Sequence, residues 1–210
     1  MQIAVMGAGS IGGYFGGMLS KAGHDVTLIA RRQHLDTIRE DGLKILTDDD
    51  EFVVRCNATD DPTSIGTVDL VLLTVKTYQN DLAIPMIQPL VCSKTSILCL
   101  QNGMDSYQSI PRLLKIDNPL PGAAYIEAGV PAPGIIRQSG TVVKMVFGEL
   151  NGNVSTRGEK IQEAFLGSGI DCQFTNDILK TLWTKFLFIA TMAGITCLAR
   201  ETLAQLIPKP

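Results

Sequence analysis

The first fifteen residues constrain this chain most. An apolar segment, Gln2–Met6, runs straight into Gly7-x-Gly9-x-x-Gly12, and a run of small and apolar residues follows. Strand, glycine turn and helix in that order form a turn that receives a dinucleotide pyrophosphate. Gly7 permits the tight turn, Gly9 lets backbone N–H groups approach the phosphates, and Gly12 lets the helix pack closely on the strand. The helix N-terminus adds unpaired N–H groups and a partial positive charge. With the three glycines, Ala8, Ser10 and Ile11 complete the set of candidate cofactor contacts. A glycine triplet also marks ordinary turns. Here a strand precedes it, a helix of about Ser10–Ala22 closed by Gly23 follows, and a second strand arrives at Val26–Ile29.

Strand and helix signals keep alternating, with further strands at Leu70–Val75 and Ser96–Leu100. Val68–Val75 is nearly all apolar, as a strand buried on both faces should be. The pattern predicts an α/β fold, a Rossmann-like dinucleotide-binding domain whose parallel sheet is covered on both faces. Leu43–Leu46 and Phe52–Arg55, joined by the acidic tip Asp48–Glu51, read as a peripheral hairpin with a solvated turn. Ala123–Ala128, Ile135–Gln138 and Val142–Gly148 read as antiparallel strands at the far side of the sheet. A helix over Thr156–Leu166 and a strand at Asp171–Thr175 complete a domain spanning 1–176.

From Asp177 the pattern becomes one long helix to about Leu206, ended by Pro208. Its middle is apolar all round, the composition of a helix buried among other helices. Residues 177–210 therefore read as the first helix of an all-helical domain that is cut short, unless a partner chain covers it. Left uncovered, such a surface would drive aggregation or homodimer formation.

Composition narrows the classes. With 45% hydrophobic and 19% charged residues the chain is an ordinary globular one. A net charge of −3 with scattered Lys and Arg gives no footing for nucleic acid. Five cysteines without a Cys-x-x-Cys pair, and only His24 and His34, allow no metal constellation. That usage suits reduced thiols in a cytoplasmic protein. The N-terminus lacks the features of a signal peptide. The longest apolar stretch, Phe186–Ala199, is short for a bilayer, so no membrane association is expected.

The second strand ends in Leu28-Ile29-Ala30-Arg31-Arg32, with no carboxylate to accept from ribose hydroxyls. A guanidinium there would pair with a 2′-phosphate, which favours NADP(H) over NAD(H). Arg31 comes first after the strand. The alternative is that both arginines only solvate a helix start. Ligands in open α/β sheets sit beyond the carboxyl ends of the strands, where Lys76 and Asn102 fall. A loop-opening surface lysine and a plain Asn–Gly turn are the alternative readings. Lys185 begins the most apolar segment and would serve as a general acid if it faces a cleft, or would snorkel at the helix edge.

In chain order, Gly7–Gly12, Arg31, Val75–Thr77, Gln101–Gly103, Tyr125–Ala128 with Pro133 and Gly134, Phe147–Glu149 and Leu182–Lys185 resemble the ketopantoate reductase (2-dehydropantoate 2-reductase) family over the whole chain. The resemblance implies NADPH bound by Gly7, Gly9, Gly12, Arg31, Lys76 and Asn102, with Ala128 near the cofactor-contacting strand. It also implies that Asn102 touches substrate and that Lys185 touches substrate and donates a proton. The implied reaction is NADPH-dependent reduction of a small 2-keto acid to a 2-hydroxy acid, as in pantothenate biosynthesis. Two features depart from the family. Asparagines four and eight residues after its catalytic lysine, on the same helix face, are Ile189 and Ala193 here. A site without partners for a substrate hydroxyl no longer selects for it. The family's helical second domain also lies beyond residue 210. Two alternatives follow: a non-catalytic NADP-binding module, and a related reductase acting on a different small acid.

Overall fold

The computed structural model describes residues 1–117 and 119–206. Its strands are β1 (Gln2–Met6), β2 (Asp25–Ile29), β3 (Leu43–Leu46), β4 (Glu51–Val54), β5 (Asn57–Thr59), β6 (Leu70–Leu73), β7 (Ser96–Cys99), β8 (Leu120–Ala132), β9 (Ile135–Phe147) and β10 (Asp171–Phe174). Its helices are α1 (Ser10–Lys21), α2 (Arg32–Asp41), α3 (Asn80–Met86), α4 (Ser109–Leu114), α5 (Thr156–Gly167), α6 (Ile178–Ala199) and α7 (Leu203–Leu206).

The expected parallel sheet is present in the order β8-β7-β6-β1-β2-β5. Its central strands β1, β6 and β7 are buried almost throughout, because α1 covers one face while α3 and α4 cover the other. The strand expected to reach Val75 ends at Leu73, which frees Thr74 and Val75 to leave the sheet and line a cleft. The three antiparallel segments expected near residues 123–148 are parts of one ribbon. β8 and β9 pair antiparallel over thirteen residues each, with register shifts after Ile126 and after Gly129.

The hairpin β3–β4 is less peripheral than its sequence implies, since β3 pairs in parallel with β9. This carries the sheet around α1, and the composition of α1 shows why it tolerates being enclosed. A Cβ on Gly16 would lie 2.8 Å from Leu28 of β2, whereas one on Gly13 would lie 2.7 Å from Ile136 of β9 and one on Gly17 2.5 Å from Ile45 of β3. Bare helix surface on two sides lets both parts of the sheet approach.

The C-terminal helix departs from expectation in two ways. It is not continuous to Leu206: Arg200 adopts a left-handed conformation (φ 56°), ends α6 at Ala199, and α7 follows as a separate turn. Pro208, the expected terminator, lies outside the described residues. Within this chain only Ile178 and Leu182 of α6 are buried, while Trp183, Leu187, Phe188 and Leu198 stand exposed. At 22 residues α6 is long and apolar enough, by length and composition alone, to cross a membrane. Here it leans on β8 and β9 and carries Lys185 to the sheet.

Candidate active site

The glycine turn is held rigidly from both sides. Gly7 and Ala8 N–H both donate to the Ile29 carbonyl at the end of β2 (3.3 and 3.1 Å). Thr74 Oγ1, just past β6, donates to the carbonyls of Gly7 and Met6 (2.8 and 3.1 Å). Gly7 has φ 105°, and a Cβ there would lie 2.8 Å from Val75 Cγ1. One on Gly12 would strike the Gly7 carbonyl, while one on Gly9 would meet open space. With the first two amides of the turn engaged, the N–H groups of Ser10, Ile11 and Gly12 in the first turn of α1 remain for an anion. The cradle fits a dinucleotide pyrophosphate.

Beside it lies a cleft of about 310 Å³ lined by Gly7, Ala8, Gly9, Arg31, His34 and Val75 among others. Arg31 occupies the N-cap position of α2 without a side-chain capping bond, and its exposed side chain meets, among the described residues, the Met86 sulfur at 4.0 Å. Arg32 lies outside this lining. His34 bridges two elements that the sequence keeps far apart. Its Nδ1 accepts from the Gly134 amide at the β8–β9 turn (2.9 Å), so the ring proton belongs on Nε2, which donates to the Ala8 carbonyl (2.8 Å). Nothing in the local sequence around His34 signals this bridge.

A larger cleft of about 710 Å³ opens on the other side of Val75, which lines both. Its walls include Ile11, Lys76, Gln101, Asn102, Tyr125, Glu127, Lys185, Phe188 and Ile189. The sequence-chosen Lys76, Asn102 and Lys185 therefore converge, from the ends of β6 and β7 and from α6. Lys185 Nζ donates to Asn102 Oδ1 (2.8 Å) and to the Ala124 carbonyl (2.6 Å), and stands 5.4 Å from the Tyr125 ring centre. Burial among these groups pushes the Lys185 ammonium down to about 8 from 10.5. Ala128 is not brought into either cleft. It pairs with Gln138 beyond the first register shift between β8 and β9, and the wall takes β8 only as far as Glu127. Ile189 lines the cleft, whereas Ala193 is exposed one turn further on.

Comparison with known proteins agrees with this geometry. A family model described as ketopantoate reductase PanE/ApbA matches residues 3–152. The chain belongs to the ketopantoate reductase family, whose members are NADP-dependent oxidoreductases. The uncharacterized oxidoreductase YkpB of Bacillus subtilis (strain 168) is 31% identical over 99% of this chain and 68% of its own length. The crystal structure of 2-dehydropantoate 2-reductase from Porphyromonas gingivalis W83 superimposes with a TM-score of 0.91 at 30% identity, over 98% of this chain and 75% of that one. A ternary structure of D-mandelate dehydrogenase with NADH and anilino(oxo)acetate superimposes with a TM-score of 0.85 at 27% identity, over 93% of this chain and 64% of that one. This chain thus spans roughly two thirds to three quarters of each relative's length.

Proposed function

We propose that this protein binds NADPH across the two clefts and reduces a small 2-keto acid to the 2-hydroxy acid. The observation that carries the reading is the setting of Lys185. Two of its three N–H donors are spent on Asn102 Oδ1 and the Ala124 carbonyl, which leaves the third for a substrate carbonyl oxygen in the cleft. Bound NADPH would supply the hydride that arrives at the keto carbon. Lys185 then gives a proton to the oxygen, and its lowered proton affinity makes that transfer easier while keeping it charged at neutral pH. Asn102 orients the ammonium and faces the same space. Gly7 to Gly12 hold the pyrophosphate, with Arg31 at the 2′-phosphate and Lys76 near the junction of the clefts.

Ketopantoate is the substrate that the family name suggests. A second reading, a 2-keto acid with an apolar side chain, is favoured by Ile189 and Phe188 in the wall, where nothing on α6 beyond Lys185 offers a hydroxyl its partner. The D-mandelate dehydrogenase likeness points the same way. We further propose a cytoplasmic protein with a nucleotide domain over 1–176 and a helical segment from 177, self-associating through the exposed face of α6.

The test is NADPH oxidation with ketopantoate and with apolar 2-keto acids side by side, for the protein and for Lys185→Met. Turnover lost by about 10²–10⁴ in the variant, with NADPH binding kept, supports the assignment. Equal turnover by both proteins refutes it. NADPH binding without turnover of any keto acid would instead favour a non-catalytic nucleotide-binding module.

A further inference from the structure

We propose that Gln101 is a positioning residue whose buried amide locks the Lys76 loop to the Asn102 turn, so that the cofactor and substrate ends of the cleft keep one fixed geometry. The inference rests on the reductase reading above. The two loops leave neighbouring strands, β6 and β7, whose ladder ends with the Leu100 N–H donating to the Leu73 carbonyl (3.1 Å). Gln101 takes over at that point. Its Nε2 donates to the Val75 carbonyl (2.7 Å) and to Asn80 Oδ1 (2.6 Å), so both amide hydrogens are engaged. Its Oε1 accepts from the Cys99 thiol (3.4 Å). That thiol also meets Ser106 Oγ at 3.4 Å.

The Val75 carbonyl fixes which way round the amide sits, because a flipped Gln101 would set its oxygen against that acceptor, and the Asn80 amide orients to match. Gln101 and Asn80 are 6% and 5% exposed, so water does not substitute readily for a lost bond. The residue after Val75 is Lys76, and the residue after Gln101 is Asn102, which accepts from Lys185. One amide therefore sits one residue behind each of two candidate contacts. A merely structural glutamine would stabilise the sheet end without influencing Lys185.

The test uses Gln101→Met, which keeps length and bulk and deletes the bonds, with Asn80→Ala removing one anchor in case the first variant does not fold. Three quantities are read: NADPH affinity, kcat for the best keto acid, and the Lys185 titration followed by NMR of ¹⁵N-lysine-labelled protein, with Lys185→Met assigning the signal. Expected are a roughly fivefold weaker NADPH affinity and a kcat lower by about thirtyfold, the scale of a sub-ångström misplacement. The Lys185 titration should move below its starting value of about 8, since a displaced Asn102 no longer accepts from the charged form. Asn80→Ala should shift all three in the same direction by less. A folded variant with all three quantities unchanged overturns the proposal, even if its Tm falls. Should the wild-type protein turn over no keto acid, the reductase reading fails, while affinity and titration still decide whether the clamp exists.

Discussion

Lys185 should destabilise the fold at neutral pH, and the cost can be followed as it is relieved. A lysine held at about 8 in the folded chain against 10.5 in the unfolded one carries roughly 3 kcal/mol, at about 1.4 kcal/mol per tenfold change in proton affinity. The side chain is only partly enclosed, so screening reduces this to about 1–2 kcal/mol. The sign follows from proton counting. Between about pH 8 and 10.5 the unfolded chain holds more of this proton than the folded chain, so stability rises with pH across that window. Below about pH 8 the full penalty applies. Lys185→Met removes it but leaves Asn102 Oδ1 and the Ala124 carbonyl without that donor, a loss of roughly 1 kcal/mol. Urea denaturation of both proteins from pH 7 to 10.5 isolates the effect, because every other titrating group cancels in the difference. The variant should match or exceed the wild type at pH 7, and the wild type should gain about 1–2 kcal/mol on it by pH 10.5. Parallel curves over the whole range would refute the claim that Lys185 is desolvated, and with it the argument for a tuned proton donor.

Arg31→Ala should weaken NADPH by roughly 10–100-fold, the scale of one charge-assisted contact, and NADH by less than about threefold. Equal losses for both in fluorescence titrations would remove Arg31 from the 2′-phosphate. Gly12→Ala and Gly17→Ala separate the two uses of glycine in α1. At Gly12 the added methyl meets the rigid Gly7 carbonyl, whereas at Gly17 it meets chiefly the far end of Ile45. Chemical denaturation should show roughly 3 kcal/mol lost for Gly12→Ala and about 1 kcal/mol for Gly17→Ala, with NADPH binding abolished only in the former. Binding that survives in Gly12→Ala would refute the close-approach argument.

The parallel core and the nucleotide turn are legible in the sequence because their signals are local. β1 and the glycine turn are contiguous, and β6 and β7 declare themselves by unbroken apolar runs. What sequence does not carry is any contact set by how the sheet curls. The His34–Gly134 bond spans one hundred residues, and the Lys185–Asn102 bond spans eighty-three. Asn102 could be named as a candidate from its place at a strand end and Lys185 from its place at the start of the most apolar segment, yet their contact depends on where α6 leans. His34 gives no sign at all, because a histidine on a polar helix looks solvated until the ribbon folds over it. Ala128 is a further case: the cleft wall takes β8 only as far as Glu127, and the ribbon's register changes there because β9 carries extra residues at 140–142, which composition does not reveal.

The glycines of α1 join these two levels. In sequence they read as phosphate chemistry, and in the structure Gly7 and Gly12 meet the two steric demands of that reading, a left-handed turn and a close helix–strand approach. Gly13 and Gly17 answer to a different demand, the arrival of β9 and β3 on the far side of the helix. The same curl brings the Gly134 turn within reach of His34, and His34 in turn grips the Ala8 carbonyl. The geometry of the glycine turn thus depends on a sheet edge more than a hundred residues away in sequence, which is why that motif alone cannot specify how firmly a dinucleotide would be held.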